Sequence, residues 1–492
     1  MKKILSLVLV ISTLNSFAQK PETFAKTITA NDLKKHLYIV AGPEMEGRET
    51  ATEGQRKAAA YIENQFKQIG LQPGNKDSYQ MMFNVYQDSL TQASLEVNGK
   101  AFSLDQDFNP SPNNIPATLR FSEVVLIGSN SIDSLRNANL TGKLLMIVGI
   151  VPAGPRAQGG GLAGLLQTKG IAGVLSVSSA YPRTSPLSRK GSLSLNGFRR
   201  TLTPQQYSIS EAVAKAIIGS EYEAVKNNNA IVKTYQSNIM LEVKKETLVQ
   251  QSSNVLGLLP GTDLKDEYLF ITAHYDHLGK RGDSVIYYGA DDDGSGTVSV
   301  IELAEAFAKA KAAGKGPRRS IVFMAVSGEE KGLWGSEFYG SNPVYPLEKT
   351  TADLNIDMIG RSDTSRKGDT VNYVYVVGDD KLSSELKPIS EAANKKYTKL
   401  QLDYKFNDPN DRNRIYYRSD HYNFAKHGVP IIFYYDGMLG SDYHKPTDTP
   451  DKINYPLLAR RAQLVFYTAW EMANRNEMLK RDIPLDANVF TR

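Results

Sequence analysis

Three consecutive aspartates, Asp291 to Asp293, stand before Gly-Ser-Gly in the stretch YYGADDDGSGTVSVIELAEAF. Adjacent carboxylates repel one another unless a cation lies among them, so this run predicts a cation site. One candidate is a calcium loop, because the spacing D-x-D-x-S-G-x5-E places Gly296 sixth and Glu302 twelfth, close to the EF-hand pattern. The other candidate is a transition-metal site whose remaining ligands lie elsewhere in the chain.

Composition restricts the ligands and the partners. The chain has 492 residues, which favours two domains, and it has no cysteine, so neither disulfides nor thiolate ligands are available. Any metal ligand must therefore come from Asp, Glu or one of six histidines. The net charge of +5 is too weak to favour a nucleic-acid partner. Oligomeric state stays open.

The first 18 residues are typical of a secretory signal peptide. Two lysines precede an apolar run from Ile4 to Ile11, and Ser-Phe-Ala precedes Gln19. The run is too short to span a bilayer, and no later segment is long and apolar enough. We therefore expect cleavage after Ala18 and a soluble mature protein, periplasmic or extracellular, that is not in the membrane. A short N-terminal anchor is the alternative.

From about Asn254 onward, short apolar runs alternate with helical patterns. The predicted strands are NVLGLL, YLFITA, SIVFMAV, NIDMI, NYVYVV and PIIFYY, and the predicted helices span 296–313, 380–396 and 455–475. Nearly continuous apolar strands are buried on both faces. The pattern predicts an α/β fold with a mostly parallel, mixed sheet and helices on both faces.

The organisation along the chain predicts an interrupted main domain. Its N-terminal part spans 19–94 and its larger part spans 246–476, with a polar tail at 477–492. Between them, 95–245 is rich in Gly, Ser and Asn and has short strands, which predicts a smaller mixed α/β domain inserted into the first.

Polar residues follow the predicted strands at the points where the strands end. They are His274, Asp276 and His277 in AHYDHLG, the aspartate run, Glu329 and Glu330 in SGEEKG, Asp357 in NIDMIG, and Tyr443 and His444 in the loop SDYHKPTDT. In open α/β sheets, ligands bind at the carboxyl ends of the strands, so we expect these side chains to meet. Carboxylates with imidazoles suit zinc.

The residues on either side of the three aspartates disfavour an EF-hand. An EF-hand requires a helix that enters its loop, whereas GDSVIYYG before Asp291 is turn-like and β-prone. Glu302 fits equally well as an exposed helix residue. A calcium-binding protein without enzymatic activity remains a remote alternative.

The ordered motifs AHYDHLG, GADDDGSG, GEEKGLWGS, NIDMIG, SDHYNF and YHKPTDT resemble those of the two-zinc aminopeptidases and carboxypeptidases of metallopeptidase family 28. The opening MEGRET…GQRKAAAYI…GL resembles members that carry an inserted protease-associated (PA) domain, which would be 95–245. The resemblance implies a zinc-peptidase fold of the phosphorylase/hydrolase-like type, two Zn²⁺ ions and peptide substrates.

The resemblance also implies a role for each matching residue. The implied metal ligands are His274 and Asp357 on one zinc, Glu330 and His444 on the other, and Asp292 bridging both. The implied catalytic groups are Glu329 as general base and Tyr443 beside the oxyanion. The implied supporting residues are Asp276, which would orient the His274 imidazole, Asp291 and Asp293, which would hold the turn, and Asp420 and His421 near the substrate.

These features favour a secreted aminopeptidase over three alternatives. A glutaminyl cyclase is disfavoured because Tyr443, not Trp, precedes the last histidine and the full Asp-Asp-Gly-Ser-Gly run is present. A carboxypeptidase stays open, because four arginines could hold a substrate carboxylate: Arg361, Arg412, Arg414 and Arg418. A non-enzymatic binding module is disfavoured because it would not need Glu329. His277 is either a supporting residue of the site or a surface imidazole.

Overall fold

The computed structural model describes residues 21–128, 135, 138–149, 169–198, 203–226 and 231–485. The predicted signal peptide and the end of the predicted tail lie outside these residues. The chain divides into two compact units, one formed by the described residues up to Phe83 and from Gln251 onward, the other by Asn84–Gln250. The sequence placed the boundaries at 95 and 245. They differ because single long strands carry the chain past both of those positions.

The helices and strands have the following bounds. The strands are β1 (Gln72–Pro73), β2 (Gln80–Val97), β3 (Lys100–Phe102), β4 (Phe108–Pro110), β5 (Ala117–Gly128), β6 (Leu144–Val148), β7 (Gly173–Val177), β8 (Lys190–Ser194), β9 (Gln205–Ile209), β10 (Val232–Leu259), β11 (Leu264–His274), β12 (Lys280–Arg281), β13 (Val285–Ile286), β14 (Arg319–Val326), β15 (Thr350–Ile356), β16 (Tyr373–Val377), β17 (Gln401–Asp403) and β18 (Ile431–Tyr435). The α-helices are α1 (Glu22–Ala25), α2 (Ala30–Val40), α3 (Glu53–Ile69), α4 (Glu211–Ile218), α5 (Tyr222–Val225), α6 (Gly296–Ala312), α7 (Trp334–Ser341), α8 (Leu386–Lys396), α9 (His421–Lys426) and α10 (Tyr455–Asn474).

In the first unit, the strand order is β17-β16-β18-β15-β11-β14-β10. The pairs β17/β16, β18/β15, β15/β11 and β11/β14 are parallel, whereas β16/β18 and β14/β10 are antiparallel. This confirms the predicted α/β class with a mostly parallel, mixed sheet.

Both faces of this sheet are buried. In β11, Leu269 and Ile271 belong to an apolar cluster that includes residues of α2, α3, α6 and α10, whereas Phe270 belongs to a second cluster that includes residues of α7 and α9. Successive strand residues point to opposite faces, so helices on both sides require both sets to be apolar. The predicted cover on two faces is confirmed, and it explains the nearly continuous apolar runs.

Local signals explain several helix ends. The Thr29 hydroxyl accepts the N–H of Asp32 at 3.1 Å and begins α2. The helix α3 ends at Ile69 and is capped by Gly70, whose φ of 86° is left-handed. The helix predicted from 380 begins only at Leu386.

The strand predicted at 355–359 is displaced toward the N-terminus. The strand β15 begins at Thr350 and ends at Ile356. Beyond it, the N–H of Met358 donates to the Asp293 carboxylate at 3.0 Å and the N–H of Ile359 donates to the Ser295 hydroxyl at 3.0 Å. Side chains from another part of the chain therefore replace the sheet partners, and Asp357 lies just past the strand end.

The described part of the predicted polar tail packs on the first unit. Leu479 is buried in the apolar cluster beside α10, and its N–H donates to the Thr351 hydroxyl at 3.0 Å. The guanidinium of Arg481 donates to the carbonyls of Leu347 and Thr350. Across the described ranges, no helix is long and apolar enough to cross a membrane.

The second unit is a mixed α/β body of its own. The strands β5, β6, β7 and β9 are parallel neighbours, β4 pairs antiparallel with β9, and the first part of β10 pairs antiparallel with β5. Its core packs strand residues such as Leu126 and Met146 with Val213 and Ile217 of α4. The sequence GGGLAGLLQTKG before β7 is typical of a Gly-led helix, and most of it lies outside the described residues.

Candidate metal centre

Polar side chains meet at the carboxyl edge of the first unit's sheet. His274 is the last residue of β11, Glu329 follows β14 and Asp357 follows β15. Because these strands are parallel, their carboxyl ends lie at one edge. The Nε2 atom of His274 is 3.6 Å from an Asp357 carboxylate oxygen and 3.8 Å from a Glu329 oxygen. The sheet thus brings together residues from three separate segments.

Asp292 lies between two groups of ligand atoms. One carboxylate oxygen is 3.3 Å from Nε2 of His274, and the other is 3.1 Å from Nε2 of His444. The same His444 nitrogen is 3.1 Å from a Glu330 oxygen. The two groups, His274 with Asp357 and Glu330 with His444, therefore adjoin through one shared carboxylate.

The donor set fits divalent cations. Ligand atoms of His274, Asp292 and Asp357 lie within 4.8 Å of one another, and so do those of His277, Asp292 and Glu330. Several of these atoms are buried without a hydrogen-bond partner, among them His274 Nε2, Asp292 Oδ2 and Glu330 Oε1. Buried polar atoms without partners are costly, and a cation would satisfy them. Imidazole and carboxylate ligands of this kind suit zinc.

His277 is part of this centre. It is buried, and its Nδ1 atom is 2.8 Å from a Glu330 oxygen and 3.9 Å from an Asp292 oxygen. Of the two readings that the sequence left open, the surface imidazole is therefore wrong. The contact with Glu330 joins AHYDHLG to SGEEKG directly.

The geometry before Asp291 differs from that of an EF-hand. The short antiparallel pair β12/β13 precedes the aspartates, not a helix. Glu302, expected to be exposed, is buried in α6, and one of its oxygens is 3.4 Å from Nε2 of His36. This carboxylate faces a histidine of α2 because α6 packs against that helix, so it is not a twelfth-position calcium ligand.

The two flanking aspartates hold the turn around Asp292. The carboxylate of Asp291 accepts the N–H of Gly360 at 2.8 Å. The carboxylate of Asp293 accepts the N–H groups of Gly296 at 2.8 Å and Met358 at 3.0 Å. The peptide bond between Asp292 and Asp293 is cis. The flanking carboxylates therefore contact backbone, and only Asp292 points at the histidines.

Asp276 supports the centre mainly through the backbone. The His274 Nδ1 atom is 3.1 Å from the Asp276 carbonyl oxygen but 3.7 Å from its carboxylate. That carboxylate instead accepts the Thr50 hydroxyl at 2.7 Å and the N–H of Glu329 at 3.2 Å. The nearer partner of the imidazole is thus the carbonyl, whereas the carboxylate positions the segment that carries Glu329.

Sequence reasoning missed Asp448, although KPTDT contains it. Its buried carboxylate accepts the N–H of Asp291 at 3.0 and 3.1 Å and the N–H of Asp292 at 3.1 Å. Burial raises the pKa of Asp448 to about 6, although the backbone hydrogen bonds act in the opposite direction. An acid in a short loop motif carries no sequence signal for such a contact.

Arg48 was also missed, although EGRET contains it. Its fully buried guanidinium donates to the carbonyls of Tyr275 at 2.6 Å, Tyr288 at 2.7 Å and Gly289 at 2.9 Å. The pKa of Arg48 is lowered by burial to about 10, so the group remains charged at neutral pH. It thereby joins the segment after β11 to the turn that carries the aspartates.

The buried carboxylates differ in their affinity for protons. Burial raises the pKa of Glu329 well above its usual range; nearby His274 opposes the shift, and Glu330 adds to it. For Asp292, burial acts in the same direction, but the nearby imidazoles of His274 and His444 prevail and hold its pKa well below the usual range. Groups whose pKa values are pushed apart can divide acid and base roles. Of these two carboxyls, Glu329 is thus the one better suited to hold a proton.

A pocket opens beside these carboxylates. Its walls are Asp292, Glu329, Asp357, Met358, Ile415, Arg418, Phe433, Tyr435, Leu439 and Tyr443. Apart from the acids, Arg418 and the tyrosine hydroxyls, the lining is apolar. The ring of Tyr443 stacks on His444 with centroids 3.9 Å apart, and its hydroxyl accepts from Arg418 Nη2 at 2.9 Å. An apolar side chain with a polar reacting group fits such a lining.

Asp420 and His421 are buried, and neither lines the pocket. Burial raises the pKa of Asp420 to about 7, while His274 lowers it, and the carboxylate accepts the Ser336 hydroxyl. The His421 ring is buried and stacks on Phe433, with centroids 4.7 Å apart. His421 was expected to be a supporting residue near the substrate, and its ring lies directly behind Phe433, which lines the pocket.

The four arginines considered for a substrate carboxylate separate in space. Arg361 pairs with Asp442 at 3.0 Å. Arg414 lines a different cavity, which it shares with Phe406 and Tyr416 among others, and Arg412 is exposed. Of these four, Arg418 is the one that lines the pocket beside the carboxylates.

Fold and ligand set together define a class: an α/β protein with a shared-carboxylate centre for divalent cations at the carboxyl edge of its sheet. The model of peptidase family M28 matches residues 254–469, the region that contains His274, Asp292, Glu330, Asp357 and His444. This region of the chain thus matches the model of peptidase family M28.

Curated relatives carry peptidase names. A "Probable leucine aminopeptidase" of Trichophyton verrucosum is 29% identical over 238 residues, which are 47% of this chain and 60% of that protein. A "Probable zinc metalloprotease" of Pyrenophora teres f. teres is 24% identical over 302 residues, 54% of this chain and 61% of that protein. The chain thus spans about 60% of the length of these relatives.

Solved structures share the fold. An aminopeptidase from Aneurinibacillus sp. strain AM-1 aligns with a TM-score of 0.56 at 19% identity, covering 95% of this chain and 99% of that one. The zinc aminopeptidase BSAP from Bacillus subtilis aligns with a TM-score of 0.54 at 19% identity, covering 93% of this chain and 98% of that one. At this identity the likeness concerns the fold alone.

Proposed function

We propose that the protein is an exported, zinc-dependent aminopeptidase that removes N-terminal residues from peptides. One observation carries the proposal: the carboxylate of Glu329 lies 3.8 Å from His274, at the edge of the two adjoining ligand groups and of a largely apolar pocket. The names of the relatives and of the solved structures support this reaction class.

Five side chains would hold two zinc ions in this centre. Asp292 would be shared, His274 and Asp357 would complete one group, and Glu330 and His444 would complete the other. Two zinc ions held there supply polarisation of the scissile carbonyl and of the attacking water. His277 contacts Glu330 and would orient that ligand.

The chain's own groups move the protons. Glu329, 3.8 Å from His274 and on the pocket wall, would take a proton from the attacking water and deliver it to the departing amine. The Tyr443 hydroxyl, on the pocket wall, would donate a hydrogen bond to the oxygen on which negative charge develops. The apolar lining would receive the side chain of the N-terminal residue.

A carboxypeptidase of the same family is the second candidate. The observation that favours it is the position of Arg418, a cation on the pocket wall that could hold a substrate carboxylate. An aminopeptidase requires a free substrate amine, whereas a carboxypeptidase requires a free carboxylate, so blocked substrates separate the two.

The first experiment is hydrolysis of a panel of aminoacyl 4-nitroanilides by the zinc-loaded protein, its Glu329→Gln variant and a matched Glu337→Gln control at an exposed site. We expect Glu329→Gln to lower kcat by about 10²–10⁴-fold, because it removes the proton carrier. The control should retain full activity, and a chelator should abolish it. Metal analysis should find two zinc ions per chain.

Three outcomes of this experiment would contradict the proposed aminopeptidase mechanism. Cleavage of N-blocked dipeptides but of no anilide would replace the aminopeptidase by the carboxypeptidase. Cyclisation of N-terminal glutamine without hydrolysis would favour a cyclase. Activity that survives Glu329→Gln would remove Glu329 from the mechanism.

We also propose that Asn84–Gln250 is a PA-like insert and that residues 1–18 are a signal peptide. A separate mixed α/β unit interrupting the peptidase region supports the first, and the lysine-led apolar run supports the second. Sequencing of the exported protein from Gln19 would support cleavage after Ala18, and retention of residues 1–18 would exclude it.

A further inference from the structure

An arginine and a tyrosine form a pair on the pocket wall. The Nη2 atom of Arg418 donates to the Tyr443 hydroxyl oxygen at 2.9 Å, and the guanidinium carbon is 5.8 Å from the tyrosine ring centroid. Among the described residues, no carboxylate lies within the 4.0 Å ion-pairing distance of Arg418, although Glu329 and Asp357 line the same pocket. This cation is therefore directed at a neutral hydroxyl.

The direction of this hydrogen bond follows from chemistry. A guanidinium has only donors, so the Tyr443 oxygen must be the acceptor. A phenol has one proton, and that proton must then point away from Arg418. Within the described part of the chain, the Tyr443 hydroxyl makes no other side-chain hydrogen bond, so its proton has no competing acceptor in the protein.

The tyrosine ring is also held in place. It stacks on the His444 ring with centroids 3.9 Å apart and an interplanar angle of 19°. Nε2 of His444 is in turn 3.1 Å from both Asp292 and Glu330. The position of the Tyr443 ring is thus set by His444. Arg418 can then determine only the direction in which the phenolic O–H bond points.

We propose that Arg418 is a positioning residue that acts through Tyr443. By occupying a lone pair of the phenol oxygen, it commits the phenolic proton to the substrate oxygen that becomes negative in the transition state. A donor aligned beforehand needs no reorientation when the charge develops. This inference rests on the proposed peptidase function and on the proposed role of Tyr443.

A double-mutant cycle tests the pair. Wild type, Arg418→Met, Tyr443→Phe and the double variant are compared on the best anilide substrate, with Arg120→Met as a control at an exposed arginine of β5. Loss of one oxyanion donor lowers kcat by about 10²–10³-fold, which we expect for Tyr443→Phe. We expect about a tenfold loss of kcat for Arg418→Met with little change in KM, because only transition-state binding is weakened.

The double variant decides how Arg418 acts. If Arg418 works only through the hydroxyl, the double variant should match Tyr443→Phe within about twofold, since coupled residues are not additive. Arg418→Lys, which retains a donor, should recover part of the loss. An equal loss from Arg418→Met in both backgrounds, or a raised KM at unchanged kcat, would overturn the proposal and make Arg418 a direct substrate contact. Wild-type kcat in Arg418→Met would also overturn it.

A binding measurement separates this inference from the proposed function. A 1-aminoalkylphosphonate with a leucine side chain mimics the tetrahedral, anionic state, and calorimetry gives its Kd without turnover. We expect about tenfold weaker binding to Arg418→Met and no further weakening once Tyr443 is Phe. If no anilide is cleaved but this coupling is observed, the proposed aminopeptidase function is wrong, whereas the proposed action of Arg418 through Tyr443 is supported. If the phosphonate binds no variant, both fail.

Discussion

At the residue scale, Asp448 shows how one buried carboxylate supports the centre without pointing into it. It accepts the backbone N–H groups of Asp291 and Asp292 at 3.0 to 3.1 Å, and Asp292 is the residue proposed to be shared by the two zinc ions. Without Asp448, both N–H groups would be buried and unpaired. The direction in which Asp292 presents its oxygens therefore depends on an acid more than 150 positions later.

We expect Asp448→Ala to destabilise the metal-free protein by about 1–3 kcal/mol, because it leaves buried donors unpaired. It should also weaken zinc binding by about 10–100-fold, as for other residues that orient metal ligands. Urea unfolding and zinc titration against a chelating indicator measure the two effects. Asp451→Ala, at an exposed acid of the same loop, should change neither. Unchanged zinc affinity in Asp448→Ala would exclude the orienting role.

At the element scale, the turn before α6 depends on Gly289. Its φ is +56°, in the left-handed region, and an added Cβ would lie 2.4 Å from both the Asp292 carbonyl oxygen and the His277 ring. A side chain there would thus force apart the aspartate turn and the segment after β11. Gly282 provides a matched comparison, because its φ is +61° but a Cβ there would meet nothing within 4 Å.

The substitution Gly282→Ala should cost about 1–2 kcal/mol, the penalty for a left-handed backbone alone. Gly289→Ala should cost about 1–3 kcal/mol more, because overpacking adds to that penalty. It should also weaken zinc binding, whereas Gly282→Ala should not. The free energy of unfolding and the zinc Kd of the two variants test this. Equal free energies of unfolding and equal zinc Kd values for the two variants would show that the turn tolerates a Cβ at position 289.

At the scale of the whole molecule, His421 links stability to pH. Burial lowers its pKa to about 3, although the hydrogen bond with the Tyr416 carbonyl opposes the shift. In the unfolded chain the pKa is about 6.5. Between these values the unfolded state binds more protons. The contribution of neutral His421 is therefore complete above about pH 6.5, and it declines as pH falls toward 3.

We expect this histidine to reduce the free energy of unfolding by about 1.4 kcal/mol per pH unit below pH 6. Other groups titrate in the same range, so the readout is a difference between variants. Urea unfolding of the metal-free protein from pH 4.5 to 7.5 should show a shallower decline for His421→Gln than for wild type. His427→Gln, at an exposed histidine, should follow wild type. If the free energy of unfolding declines with pH equally in all three proteins, His421 is not a source of the pH dependence.

Regular elements were predictable where their signals are local. The helices at 296–313 and 455–475 match α6 and α10 to within one residue at each end, and SIVFMAV matches β14 to within one residue. Periodicity and capping are properties of neighbouring residues, so the sequence contains them. The strand predicted at 355–359 was wrong at both ends, because Asp293 and Ser295 take the N–H groups beyond Ile356.

By itself, the sequence determined the α/β class and which acids and imidazoles stand at strand ends, since both follow from short-range patterns. Only the tertiary structure decided which of them meet and what surrounds them: it buried His277 and Glu302, placed His421 behind Phe433 and directed Arg418 at Tyr443. Those contacts join segments tens to hundreds of residues apart. Burial and distance arise from how the helices and strands pack, and no local pattern encodes them.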